Sequence, residues 1–288
     1  MKVGFVNIFG KPNAGKSTLL NALMGEKLAI VSSKVQTTRH RIKGIRTEKD
    51  YQVVFSDTPG IIETKYKLHE KMMLSVKGAL EDADLAFLLV DARDDFNEAD
   101  QVFSALRLAV PAIVIINKAD LVKKERIREA KDFFVHKPYA KQTVAISALH
   151  KTGVEGLMQA MLEFLPEGEP FYNDEDISDL STRFFVGEMV REKIYELYDQ
   201  EIPYHSTVLV TAFTEKSTLV KITAEIIVQR ETQKMILLGK GGTMIKSLGT
   251  AARKDIEEFL GQKVFLELFV KVRPKWRDND LYLKEYGY

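Results

Sequence analysis

Residues 10–17 read GKPNAGKS, and they lie between an apolar run, Val3 to Phe9, and a stretch with helical spacing, Thr18 to Met24. This is the G-x-x-x-x-G-K-[ST] pattern in the strand, loop and helix context that gives it meaning. Gly10 and Gly15 let the backbone bend with its N–H groups turned inward, next to the positive end of the following helix. Gly10, Lys11, Pro12, Asn13, Ala14, Gly15, Lys16, Ser17 and Thr18 therefore form a cradle for phosphate oxygens. Lys16 adds a point charge at the β- and γ-phosphates, and Ser17 a hydroxyl ligand for Mg2+.

Three further segments follow in order. Asn117, Lys118 and Asp120 (NKAD) end the buried run Ala112 to Ile116. Asp120 can accept two hydrogen bonds from guanine, at N1–H and the exocyclic amine, whereas adenine would leave the carboxylate unpaired; this selects GTP and GDP over ATP. Asn117 and Lys118 would hold the loop and cover the base. Ser147 and Ala148, after the apolar Thr143 to Ile146, would offer backbone N–H groups to the guanine oxygen. Asp57, Thr58, Pro59, Gly60 and Ile61 follow the alternating Tyr51 to Phe55. Asp57 at the strand end can hold Mg2+ through water, and Gly60 can turn its N–H toward a γ-phosphate, making Gly60 to about Met73 a switch segment. A first switch spans Lys27 to Arg41, where Thr37 or Thr38 must reach the metal; Thr38 is favoured, and either could instead be a solvated loop residue.

Catalysis is less explicit. After DTPG, where many GTPases carry a water-orienting glutamine, stands Ile61, which cannot hydrogen-bond, so hydrolysis should be slow or assisted. The candidate catalytic set is Asn13, Lys16, Thr38 and Gly60. The Asn13 carbonyl could seat a monovalent cation, K+, to offset developing charge, or Asn13 could simply form a turn after Pro12.

At 288 residues with 45% apolar content, the chain suggests two domains with a core each. A net charge of +1 confines any nucleic-acid site to a local patch. There is no cysteine, and the five histidines form no ligand-spaced pair, which excludes disulfides and thiolate metal sites. No apolar run approaches the roughly 18 to 20 residues of a membrane span, and the first is too short for a signal-peptide core. The expectation is a soluble, cytoplasmic protein.

Apolar runs at Val3–Phe9, Val53–Phe55, Leu85–Val90, Ala112–Ile116 and Thr143–Ile146 alternate with helical stretches at Lys67–Glu81, Ala99–Leu108, Lys124–Val135 and Val154–Leu165. The fold class is α/β, a P-loop NTPase domain over residues 1–166 with a mainly parallel sheet and one antiparallel edge strand, Arg41–Thr47. Residues 167–182 carry six acidic side chains and no Lys or Arg, and read as a linker. Residues 183–288 change to an α+β layout: a helix over Arg183–Tyr198, strands at Ser206–Phe213 and Val220–Gln229, a short helix, the turn GKGG at 239–242, a helix over Thr243–Leu260 and a strand at Val264–Arg273. A GxxG turn between two helices is how a KH domain clamps about four nucleotides of single-stranded nucleic acid. Gly239, Lys240, Gly241 and Gly242 would meet the backbone, Lys246 a phosphate, and Ile236, Leu237, Met244, Ile245 and Leu248 one groove wall. Residues 230–277 hold 11 Lys+Arg against 5 Asp+Glu. The competing reading makes GKGG a helix cap and the apolar residues core.

With these motifs, QTTRHRIKGI at Gln36–Ile45, STRFFVGEMVREKI at Ser181–Ile194 and VKVRPKWRDN at Val270–Asn279, the chain resembles the Era GTPase family over nearly its whole length. The resemblance implies a Ras-like GTPase domain followed by a type II KH domain with a C-terminal extension. It implies binding of the 3′ end of 16S rRNA rather than DNA, a role in maturation of the 30S subunit, and partial association with the inner membrane face. A hydrophobic Ile61 and an Asn13 are both in keeping with it. The alternative is a nucleotide-regulated RNA placeholder on pre-30S particles in which turnover is secondary.

Overall fold

The computed structural model describes all 288 residues. They divide into two compact units, Met1–Thr64 with Lys71–Asp179, and Lys65–Glu70 with Leu180–Tyr288.

The first unit is built on strands β1 (Lys2–Gly10), β2 (Ile42–Glu48), β3 (Tyr51–Asp57), β4 (Leu85–Asp91), β5 (Ala112–Asn117) and β6 (Ala140–Ala145), with helices α1 (Lys16–Met24), α3 (Phe96–Ala105), α4 (Lys124–Val135) and α5 (Val154–Leu162) and, from Lys71 on, α2 (Lys67–Glu81), whose first residues are grouped with the second unit. Strand order is β2-β3-β1-β4-β5-β6, and only β2 runs antiparallel to its neighbour. β4 and β5 are buried along their length, as continuous apolar runs in a two-sided parallel sheet must be. Phe9, Leu88, Val114, Phe103 and Phe134 meet in one core, each side chain contributing about 1.5–3 kcal/mol. The Walker-type loop, Asp57, Asp91 and Asn117 all stand at strand C-terminal ends, the ligand edge of such sheets.

Some boundaries differ from the sequence reading. α3 starts at Phe96, not Ala99, because the Asp95 carboxylate caps it, accepting from Asn97 N at 2.8 Å, and it ends before Arg107, whose φ is +48°. α5 stops at Leu162, and Leu165 is buried outside the helix.

The acidic stretch is no free tether. Through residue 179 it packs with the first unit. Val3 N donates to Pro166 O and Gly168 N to Met1 O. Gln52, wholly buried, accepts from Phe171 N and Tyr172 N at 2.7 and 3.0 Å and donates to Tyr172 O at 2.9 Å. Further on, Ile45 N donates to Ile177 O, Ser178 Oγ to Lys43 O, and Lys43 pairs with Asp179. A polar segment needs no core of its own when its backbone finds such partners.

The second unit holds α6 (Thr182–Leu197), the one-turn α7 (Ile202–His205), β7 (Thr207–Glu215), β8 (Val220–Val228), α8 (Glu231–Leu238), α9 (Thr243–Leu260), β9 (Val264–Val272) and α10 (Asp280–Glu285). β7 pairs antiparallel with β8, and β8 parallel with β9. Ile222, Ile226, Val190, Ile194, Leu248, Ala252 and Ile256 form its core. The sequence reading missed α7 and α10; Trp276, fully buried, anchors the C-terminal stretch by donating from Nε1 to His205 O at 3.0 Å. In the same unit Arg277 lies over the Tyr66 ring at 4.1 Å, and Lys67 pairs with Asp280.

Candidate nucleotide and nucleic-acid sites

Gly15 has φ +101°, and a Cβ on it would stand 2.3 Å from the Asn117 amide nitrogen, so only glycine serves there. Asn117 ties two loops together: Nδ2 donates to Ala14 O at 2.8 Å, and Oδ1 accepts from Ala148 N at 3.0 Å. Lys16 is buried with its ammonium on Gly10 O and Lys11 O, at 3.1 and 2.9 Å. Burial lowers its pKa to about 8, against the opposing pull of Asp57. Asn13, at φ +62°, donates to Ser33 O at 2.9 Å, linking the phosphate loop to the first switch segment. A cleft of about 370 Å³ opens between this loop, residues 30–38 and the side chains of Arg93 and Lys118.

Beneath the loop, Ser17, Thr38 and Asp57 converge. Asp57 Oδ2 accepts from Ser17 Oγ at 2.6 Å and from Thr38 Oγ1 at 3.1 Å, and the two hydroxyls are 2.8 Å apart. Asp57 Oδ1 is buried with no hydrogen-bond partner, and burial, outweighing Lys16 and the two hydroxyls, raises its pKa. Three hard oxygen donors around an orphaned carboxylate oxygen suit a hard divalent cation such as Mg2+. Thr37 is not among them; its hydroxyl donates to Lys34 O at 2.6 Å. Thr58 Oγ1 donates to Ile8 O, Pro59 is buried, and Gly60 lies so close to Pro12 that a Cβ would be 2.9 Å from its ring. Ile61 packs on the core around Phe9 and Leu88, so the glutamine position is given to packing.

On the base side, Asp120 lies 3.7 Å from His150 Nε2, and a hydrogen bond from the Ser147 hydroxyl holds its pKa below the ordinary carboxylate value. The N–H groups expected to meet guanine are engaged elsewhere: Ser147 N donates to Thr152 O and Ala148 N to Asn117 Oδ1. The antiparallel bridge Ser147–Thr152 consumes the first of them. The Ser147 side chain is the part of this residue that meets Asp120. Asp91 and Arg93, at the same rim, were not singled out from sequence; a carboxylate ending a buried parallel strand was the available signal.

In the second unit Gly239, Gly241 and Gly242 all have positive φ, at +70°, +61° and +78°. Lys240 and Lys246 are exposed, as is Ile236, while Ile245 is half-buried. Leu237 and Leu248 are core residues and cannot wall a groove, because α8 and α9 turn them onto the sheet. Lys246, Arg253 and Lys254 continue the positive surface along α9.

A phosphate loop with an acidic guanine selector on the rim of a Ras-like sheet, joined to a helix–GKGG–helix module on three strands, defines a GTPase carrying a KH domain. The family described as "50S ribosome-binding GTPase" matches residues 5–118, and the KH domain family matches residues 201–277. GTPase Era of Geotalea uraniireducens is 44% identical over 99% of this chain and 97% of its own length. A solved variant of Aquifex aeolicus Era bound to GDP and AlF4− superposes with a TM-score of 0.96 at 38% identity, covering 100% of this chain and 99% of that one. An Era structure in complex with MgGDPNP and nucleotides 1506–1542 of 16S ribosomal RNA matches with the same score, identity and coverage. The chain belongs to the Era GTPase family, and its reaction is hydrolysis of GTP to GDP and phosphate.

Proposed function

We propose that this GTPase is a switch that binds the 3′ end of 16S rRNA through the GKGG turn and assists maturation of the 30S subunit. The exposed turn carries the reading: three left-handed glycines allow close backbone approach, and Lys240 and Lys246 flank it with positive charge. The full-length likeness to an Era solved with 16S nucleotides supports the choice of RNA.

In the first unit the residues from Gly10 to Thr18 receive the phosphates, Asp120 selects guanine, and Ser17, Thr38 and Asp57 hold Mg2+. The metal supplies charge neutralisation at the phosphate oxygens. Lys16 adds a second positive charge, the Gly60 N–H meets the γ-phosphate, and Asn13 Oδ1 is available to a K+ ion. Gly60–Met73 would carry the nucleotide signal, as the segment that begins with the Gly60 N–H.

Purified protein titrated with a short single-stranded RNA matching the 3′ end of 16S rRNA should bind more tightly with a non-hydrolysable GTP analogue than with GDP, and more weakly at higher salt. Equal affinity in the two nucleotide states would reduce the protein to an RNA placeholder; no binding would remove the RNA from the reading.

The two threonines separate cleanly. Thr38→Ala should narrow the Mg2+-dependent preference for the GTP analogue over GDP by roughly tenfold, the cost of one polar contact near charge, and Thr37→Ala should leave it unchanged. Competition binding across an Mg2+ titration reads this directly, and a reversed outcome would give the metal to Thr37.

A further inference from the structure

The carboxylate of Asp91 ends β4 opposite Asn117 in the sheet register, and its side chain is 6% exposed. It accepts from Lys118 Nζ at 2.8 Å, and from Arg93 at Nε (2.9 Å), Nη2 (2.6 Å) and backbone N (3.0 Å). The same Lys118 ammonium donates to Asn13 O at 2.7 Å. Lys118 and Asn13 both stand in the left-handed region, at φ +60° and +62°, so the contact joins two unusual backbone turns. The loop beyond Asp91 is fixed independently. Ala92 N donates to Asn117 O, Arg126 Nε to Ala92 O at 3.0 Å and Arg126 Nη2 to Asp94 O at 2.6 Å, with the guanidinium over the Phe96 ring. Burial opposes the charge on Asp91, but the hydrogen bonds from Arg93 and Lys118 outweigh it and keep the group ionised, well below the usual carboxylate range.

Sequence motifs account for Lys118 and Asn13 but not for what aims one at the other. A lysine ammonium is a compact charge on a flexible stem and does not by itself choose a carbonyl. A fixed anion at the root of the neighbouring strand does.

We propose that Asp91 is a positioning residue: it aims Lys118 at the Asn13 carbonyl and so holds the phosphate loop in its receptive shape before nucleotide arrives. Asp91 touches no nucleotide; it acts through Lys118. This rests on the nucleotide-binding reading of the cleft, and it adds the end of β4 to those of β1, β3, β5 and β6, which carry the recognised motifs.

The test uses the full-length protein loaded with a fluorescent GDP, in which bound nucleotide keeps the variants folded. Asp91→Asn should speed GDP dissociation by roughly tenfold, the usual scale for uncoupling one partly buried charge pair. Lys118→Met should also speed it, and adding Asp91→Asn to Lys118→Met should change the rate no further, because the path from Asp91 to the loop is already cut. Multiplying effects in the double variant would show that Asp91 supports the fold and not Lys118. An unchanged rate for Asp91→Asn alone would equally overturn the assignment. If neither the variants nor wild type retain GDP, the cleft itself has been misassigned, an outcome distinct from failure of the Asp91 assignment, in which wild type still retains it.

Discussion

Asp120→Asn is expected to weaken GTP and GDP binding by about 10²–10⁴-fold, since two charge-assisted hydrogen bonds to guanine are lost at about 1.5–3 kcal/mol each. The same change should improve binding of xanthine nucleotides. An asparagine amide can accept from N1–H and donate to the 2-oxo group that xanthine has where guanine has an amine. The surroundings favour a clean exchange of specificity. The Ser147 hydroxyl that orients the carboxylate can still donate to an amide oxygen, and Asp120 carries no ion pair with the core. Equilibrium titrations with fluorescent GDP and XDP would decide the matter. Unchanged guanine affinity would mean that the base is read elsewhere in the cleft.

Gly242→Asp should reduce affinity for single-stranded RNA by about 100-fold, or ~2.7 kcal/mol, while leaving GDP binding intact. Gly242 has φ +78°, and the nearest atom to an added Cβ is Ile245 Cγ2 at 4.0 Å, so the side chain fits without a clash and aspartate tolerates this backbone region. What changes is the surface: a carboxylate between Lys240 and Lys246 faces the approaching phosphates and stands where the backbone of the turn should make contact. Gly242→Asn, of the same shape without the charge, should lose less. RNA affinity unaffected by Gly242→Asp would move the RNA off this turn.

Local patterns made much of this molecule readable. The phosphate loop, the NKAD loop and the alternation of apolar runs each lie within a dozen residues, and α2 and α4 occupy the ranges expected, Lys67–Glu81 and Lys124–Val135. The start of α3 was also readable, since Asp95 with Glu98 three residues on is an N-terminal signature. What composition hid was long-range. Nothing near residues 167–179 tells that Gln52 will bind their backbone, and nothing near Asp91 tells that Lys118 will meet it. The N–H groups of Ser147 and Ala148 have acceptors of their own, Thr152 O and Asn117 Oδ1, which depend on a folded loop and are not legible locally. Leu237 and Leu248 look alike in sequence to Ile236 and Ile245, and only helix phase against the sheet sorts core from surface.

β2 is the last strand on its side of the sheet, and an uncovered strand edge invites another chain to extend the ladder. The acidic strap meets that hazard. It accepts from Ile45 N and donates to Lys43 O, and Asp174, Glu175, Asp176 and Asp179 travel with it. A second molecule drawn to the same edge would meet an occupied ladder and like charge. The strap thus ends the ladder on the chain's own residues, so that part of the β2 edge is already partnered.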